Sequence, residues 1–269
     1  MKSKNLKLIV GIEIGLIVCL CLCGIGGIVY YSGTLSAMEA GGQPPTQPVA
    51  EATATPPPTE TPVTVILGTQ LERLPDSTSK FTDLDGGFEV SIPAGWLAVR
   101  PDNRDEVNAA LVGEGAKNQM LFDQLVSDRD AYEANIDRLF IYPIRPDLRE
   151  NVVFGFSKLV WQDPDTQAID NATMGRLVRE LESSGSIPGF RATTSQIIQN
   201  GNGVSVMVIK GRFSMSDGQG GSIPFVTTLA FFKPSPASVV RITFTFMKDF
   251  EEQISPDVNT MIESIRLTK

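Results

Sequence analysis

Phe88-Glu89-Val90-Ser91-Ile92-Pro93-Ala94-Gly95-Trp96 is the stretch that decides the fold. Its first five residues alternate apolar and polar side chains, the period of a strand with one buried face. Pro93 cannot donate to a ladder and Gly95 suits a turn, so the strand ends there and the chain changes direction. Trp96 follows the turn as a core anchor. Upstream, Lys80–Leu84 alternates in the same way, and Asp85-Gly86-Gly87 joins the two runs as a hairpin turn.

Working outward, the spacing predicts a helix starting near Pro101–Asp102, with Asp102 as N-cap and Asp105 and Glu106 in its first turn. Val107, Ala110 and Leu111 form its buried face, and Gly113 and Gly115 interrupt it. A second helix is expected around Ala116–Ser127, with Met120, Leu121 and Leu125 inward. Arg138–Ile144 and Asn151–Trp161 read as strands. Thr166–Ser184 reads as an amphipathic helix stopped by Gly185, with Met174, Leu177, Val178 and Leu181 at three- and four-residue steps. Strands Thr193–Gln199, Val204–Met215, Ile223–Lys233 and Val239–Met247 follow, and a closing helix is expected to begin at Ser255-Pro256-Asp257. Its inward face is Val258, Met261, Ile262 and Ile265. Short connections between consecutive strands imply antiparallel pairing. The expected fold class is α+β: an antiparallel sheet with helices on both faces, an α/β/α sandwich.

Phe88–Trp96 resembles the opening of the Mog1/PsbP-like fold, an apolar strand that runs into a P-x-G-W turn. Met261-Ile262-Glu263-Ser264-Ile265-Arg266-Leu267 resembles the closing helix of that family. The resemblance covers roughly residues 79–269. It implies a fold and a style of action. Members include extrinsic photosystem II proteins, a nuclear transport factor that binds a small GTPase, and envelope-associated bacterial proteins, and they act mostly by binding other proteins. No catalytic residue carries over.

The N-terminal part has a different character. Lys2, Lys4 and Lys7 precede a 24-residue apolar run, Leu8–Tyr31, with Glu13 as its one charge. A helix of that length spans about 36 Å, enough for a hydrocarbon core of about 30 Å. A cleaved signal peptide has an apolar region of only about 7–15 residues, so the length argues against cleavage after Ala37. The residues before Cys19, Cys21 and Cys23 are Val18, Leu20 and Leu22, which do not suit a lipoprotein signal. The flanking lysines orient the span. Residues 1–7 are expected in the cytoplasm, 8–31 as a single transmembrane helix, 32–78 as a disordered Pro/Thr-rich linker, and 79–269 as a globular extracytoplasmic α/β domain. Gly41–Thr64 contains seven prolines and six threonines. Extended as polyproline II it reaches about 75 Å, a stalk. Val63–Leu74 is a short strand or helix joining stalk to domain.

Within the anchor, Gly11, Gly15, Cys19, Cys23 and Gly27 recur every four residues. Small residues at this spacing let helix backbones approach closely, so the stripe implies self-association, a homodimer through the anchor.

Composition narrows the chemistry. All three cysteines lie in the anchor and the chain has no histidine. Outside the span there is therefore no disulfide, no thiol nucleophile and no imidazole for acid–base or metal work. Setting aside Lys2, Lys4, Lys7 and Glu13 leaves 20 basic and 30 acidic residues, a net charge of −10. Such a surface repels nucleic acid.

The candidate sites each have a plainer reading. Asp83-Leu84-Asp85-Gly86-Gly87 lacks the spacing of a calcium loop and suits a hairpin turn. Asp163, Asp165 and Asp170 precede a helix and suit its start. Asp128 and Asp130 lie at a helix end, in a solvated loop. Asn171-Ala172-Thr173 matches a glycosylation sequon inside a helix. Gly218-Gln219-Gly220-Gly221 precedes a strand, where a phosphate loop would need a lysine and a helix. Trp161 ends a strand. No catalytic, cofactor-binding or metal residue is assigned, and no cofactor is expected.

The reading is a membrane-anchored extracytoplasmic binding or interaction module with another envelope protein as partner and no catalytic site. One alternative is a carboxylate-dependent hydrolase of cell-envelope polymers, which needs a cleft holding two carboxylates with raised pKa. The other is a carrier of a lipid or small hydrophobic ligand, which needs a closed apolar pocket.

Overall fold

The Phe88–Trp96 stretch turns a corner between two antiparallel sheets. The structure is a computed structural model. It describes residues 68–133, 136–145, 152–159, 168–185, 187–216 and 220–268, with backbone only for 152–159. The anchor 8–31 with its stripe, the stalk, Trp161, Asp163, Asp165 and the 217–219 turn lie outside the described residues. Among those described, no helix is long and apolar enough to cross a membrane.

The smaller sheet has strand order β1-β2-β3-β11. It is built from β1 (Thr69–Arg73), β2 (Ser79–Asp83), β3 (Phe88–Ile92) and β11 (Arg266–Leu267). Asp83 faces Phe88 and Ser79 faces Ile92, so the β2–β3 hairpin closes at Asp85-Gly86-Gly87. β1 falls within the segment read as linker, and the folded unit takes in Thr69.

After β3 the chain rounds Pro93–Gly95. Gly95 has φ +85°, and a Cβ there would stand 2.5 Å from Arg145 Cγ, so only glycine fits. The chain then enters β4 (Trp96–Val99), an edge of the second sheet. That sheet has seven strands in the order β4-β5-β6-β10-β9-β8-β7. The others are β5 (Asp137–Pro143), β6 (Val152–Leu159), β7 (Arg191–Gln199), β8 (Ser205–Ser216), β9 (Ser222–Ser235) and β10 (Ser238–Met247). The sequence reading had one sheet. A proline-glycine corner after a short strand lets the chain leave one sheet for another, and periodicity alone does not register that exchange.

Among the described residues four helices complete the unit: α1 (Arg104–Ala110), α2 (Gln119–Asp130), α3 (Asn171–Ser183) and α4 (Glu251–Ser264). One face of the large sheet meets the small sheet and α4. Phe81, Phe88, Val90 and Ile92 and α4 residues Ile254, Val258, Met261 and Ile262 pack there against Val240, Ile242, Phe244 and Phe246 of β10. The opposite face carries the other helices in two groups. α3 lies with Met207, Ile209, Leu229 and Phe231. α1 and α2 lie with Leu97, Val99 and Tyr142. Helices thus cover both faces, as the sequence reading expected.

Several helix ends differ from expectation. Asn103, not Asp102, caps α1, its side chain accepting from the Asp105 and Glu106 amides. Gly113 and Gly115 do not break the chain out of helix but sit in a π turn, Leu111–Gly115, that continues α1. α3 begins at Asn171, five residues late, because Asp170 is its cap. α4 begins at Glu251, after a 3₁₀ turn at Lys248–Phe250, and takes Pro256 into its interior. Ser255-Pro256-Asp257 resembles a helix start, but Asp257 serves a tertiary contact. It accepts from the Trp96 indole Nε1 at 2.7 Å, and Arg145 lies 3.6 Å away. Trp96 is 4% exposed, the core anchor expected of it.

The other end of α4 is closed from outside the helix. Asn200 Nδ2 donates to the carbonyls of Ile262 and Ile265, and Asn202 Nδ2 to those of Glu263 and Ile265. The β7–β8 hairpin turn thus satisfies carbonyls that a helix C-terminus leaves without partners.

Candidate functional site

The acidic pair of the first hairpin serves the turn. Asp83 is fully buried, and its Oδ1 accepts from the Gly86 amide at 2.6 Å. Asp85 Oδ1 accepts from the Gly68 amide at 3.1 Å. Arg138 on β5 lies 3.8 Å from Asp83 and 3.6 Å from Asp85, tying the hairpin to the large sheet. Asp170 accepts from the Thr173 amide at 2.8 Å, which holds its carboxyl below the usual range. Asn171 is exposed in the first turn of α3 while Thr173 is buried. Gly220 and Gly221 lead into β9, with Gly220 at φ +86°. No group of three metal-ligating side chains occurs among the described residues.

Asp128 requires a correction. It stands in the last turn of α2, and its carboxyl is turned inward, not toward a solvated loop. Tyr142 OH on β5 donates to Oδ2 at 2.6 Å, and Gln124 Nε2 donates to Oδ1 at 2.8 Å. The residue keeps some solvent contact, but its carboxyl group is covered. Burial raises its pKa to about 7, against the lowering effect of both hydrogen bonds, and the charge of Asp137 adds to the rise. Asp130, by contrast, is exposed beside Arg129.

Asp137 opens β5. Burial lifts its pKa to about 6; the Glu133 amide, donating at 2.9 Å, and the charge of Arg241 oppose the rise. Arg241 lies on β10, only 4% exposed, and burial lowers its pKa to about 10 while Asp137 supports its charge. Register explains the grouping. Asp137 faces Ser157 on β6, and Ser157 faces Arg241 on β10, so the three positions form one line across the sheet. In the next line Phe140 faces Gly155, and Gly155 faces Thr243. In the line beyond, Thr245 on β10 faces Thr227 on β9, their hydroxyls 3.0 Å apart.

These residues form a polar seam on the helix-facing side of the large sheet. On one side lies the apolar cluster under α3 and on the other the cluster under α1 and α2. The seam offers two carboxyl groups that change protonation near neutral pH, a phenol hydrogen-bonded to one of them, and a buried guanidinium. That set can take up protons or bind a polar group.

Sequence reasoning missed the seam. A signal for Asp128 was present: Leu121, Leu125 and Asp128 stand at i, i+4 and i+7, so the carboxylate sits on the apolar stripe of α2. Arg241, Thr243 and Thr245 alternate with Val240, Ile242 and Phe244, which reads as a strand with one wet face. The central place of β10 in the sheet buries that face instead.

No family model and no curated protein matches the chain. Among solved structures it is similar to LpqN of Mycobacterium tuberculosis, a protein involved in cell envelope biogenesis. The identity is 14% and the TM-score 0.41, over 75% of this chain and 91% of that one. It is also similar to the cyanobacterial PsbP, CyanoP, of Synechocystis, at 10% identity and a TM-score of 0.40, over 78% of this chain and 99% of that one. A protein from Bacteroides thetaiotaomicron matches at 11% identity and a TM-score of 0.37, over 76% of this chain and 50% of that one. Likeness of this extent assigns the chain to no family.

Proposed function

We infer that the chain is a membrane-anchored module that displays a binding domain outside the cytoplasm. The carrying observation is the layout of the chain. A lysine-flanked apolar run of 24 residues is followed by a Pro/Thr-rich stalk and then by the folded unit. The absence of histidine anywhere and of cysteine beyond the anchor favours binding over catalysis. The finer fold reading is a Mog1/PsbP-like unit. The β2–β3 hairpin running into the Pro93–Trp96 corner and the closing helix α4 support it. The partner is another envelope protein, and the anchor stripe pairs two copies of the chain.

The test is chemical cross-linking of the full chain in its native membrane. The expected result is one discrete adduct with a second envelope protein that purified components reproduce on mixing. Adducts with lipid alone, or none at all, would refute the reading.

One observation favours a second reading, a carboxylate-dependent hydrolase of envelope polymers. Burial raises the pKa of both Asp128 and Asp137 well above the usual carboxylate range, and the charge of Asp137 adds to the rise at Asp128. Release of soluble fragments from isolated envelopes by the parent, but not by Asp128→Asn or Asp137→Asn, would establish that reading.

A further inference from the structure

The seam holds two polar groups that the fold leaves unmatched. Arg241 is 4% exposed and Thr243 3% exposed, two positions apart on the same side of β10. Among the described residues Arg241 Nε and Thr243 Oγ1 have no hydrogen-bond partner. Among the described residues no carboxylate comes within 4 Å of the Arg241 guanidinium; Asp137 acts on it only through space. Leaving a buried guanidinium N–H or a buried hydroxyl unmatched costs about 1–3 kcal/mol each. Both deficits fall at one spot. Thr245, the next residue on that side, pairs its hydroxyl with Thr227, so along β10 the deficit stops at Thr243.

The neighbours on β9 are apolar. Leu229 and Phe231 flank the pair on β9. On β6 the backbone positions opposite are Ser157 and Gly155.

We propose that Arg241 and Thr243 form a binding site for a small free oxyanion, a carboxylate or phosphate group. The guanidinium supplies charge and a fixed N–H, and the threonine supplies a hydroxyl donor. The near-complete burial of both groups excludes the headgroup of a lipid seated in a bilayer as the source. Neither membrane anchoring nor a protein partner is needed for this site.

The test uses the full chain in detergent micelles. Sodium acetate and sodium phosphate are titrated calorimetrically against sodium chloride at matched ionic strength, with thermal unfolding recorded in parallel. Acetate or phosphate is expected to bind at one site per chain and raise Tm above chloride. Arg241→Met should weaken binding roughly tenfold or more, the loss expected for one charge-assisted hydrogen bond. Thr243→Val keeps shape and removes only the hydroxyl, so it is the variant sure to fold, and it should weaken binding a few-fold. Arg241→Lys, which keeps charge without the planar fork, should fall between parent and Arg241→Met. Phosphate also stabilises proteins by exclusion from their surface. A Tm rise that persists unchanged in Arg241→Met and Thr243→Val is that general effect and overturns the proposal. So does the absence of any difference between acetate, phosphate and chloride in the parent.

Discussion

Replacing Asp128 with asparagine should make the protein more stable at alkaline pH and leave it little changed in acid. The folded state raises the Asp128 pKa from 3.8 to about 7. Between those values the folded chain holds a proton that the unfolded chain has released. The unfolding free energy therefore falls as pH rises from about 4 to about 7, and the loss is complete above that range. The full difference corresponds to about 4 kcal/mol. Residual solvent contact of Asp128 reduces it, and about 2 kcal/mol is a fairer figure. The amide oxygen of asparagine can still accept from Tyr142, but its NH₂ faces Gln124 Nε2, a mismatch of about 1 kcal/mol. A net gain of about 1–3 kcal/mol is expected at pH 8, and a slight loss at pH 4. For a folded unit of this size that is a Tm rise of about 2–10 °C. Urea unfolding of parent and variant from pH 4 to pH 9 reads the difference directly. If the variant were no more stable than the parent at pH 8, and the gap between them did not change with pH, the buried-carboxyl reasoning would be wrong.

Trp96→Phe removes the indole donor to Asp257 while keeping most of the ring's packing; a loss of about 1–3 kcal/mol is expected in urea unfolding, and no loss would deny the contact its role. Gly211→Ala would put a methyl 2.1 Å from Phe190 Cε2, so it should destabilise by about 1–3 kcal/mol, visible as a lowered Tm. Asn200→Ala strips two donors from the end of α4 and should cost about 1–3 kcal/mol, with faster hydrogen exchange confined at first to the last turn of that helix. Gly15→Leu with Cys19→Leu should abolish self-association of the anchor in a membrane reporter assay; unchanged association would remove the stripe from the account.

How much of this was legible in the chain depends on what each feature rests on. The β2–β3 hairpin and the Pro93–Trp96 corner are local, set by residue alternation and by residues with narrow backbone preferences, and both could be read directly. Strand pairing across short loops was equally accessible, as in β7–β8 and β9–β10. The division into two sheets was not, because β11 returns from the far end of the chain to pair with β3, Arg266 facing Glu89 and Leu267 facing Phe88, and no local pattern announces that. Helix starts failed where two signals competed. Asn103 stood beside Asp102, and Ser255-Pro256-Asp257 imitated a cap while Asp257 answered Trp96. The seam was hidden for a similar reason. Polar alternation in β10 ordinarily marks a wet face, and only the strand order shows that this face lies between two helix groups. Asp128 alone could have been found, from its place on the stripe of Leu121 and Leu125.

A folded unit displayed outside the cytoplasm on a Pro/Thr-rich stalk leaves that stalk open to protease from the outer side. The stalk contains Glu51 and Glu60 but no lysine or arginine between residues 41 and 64. A glutamate-specific protease added to intact cells, or to spheroplasts, that express the full chain with a C-terminal tag tests this directly. The expected result is release of a soluble tagged fragment of nearly the whole folded unit while the membrane is still sealed. A tag that stays membrane-bound and protected until the membrane is broken would contradict it.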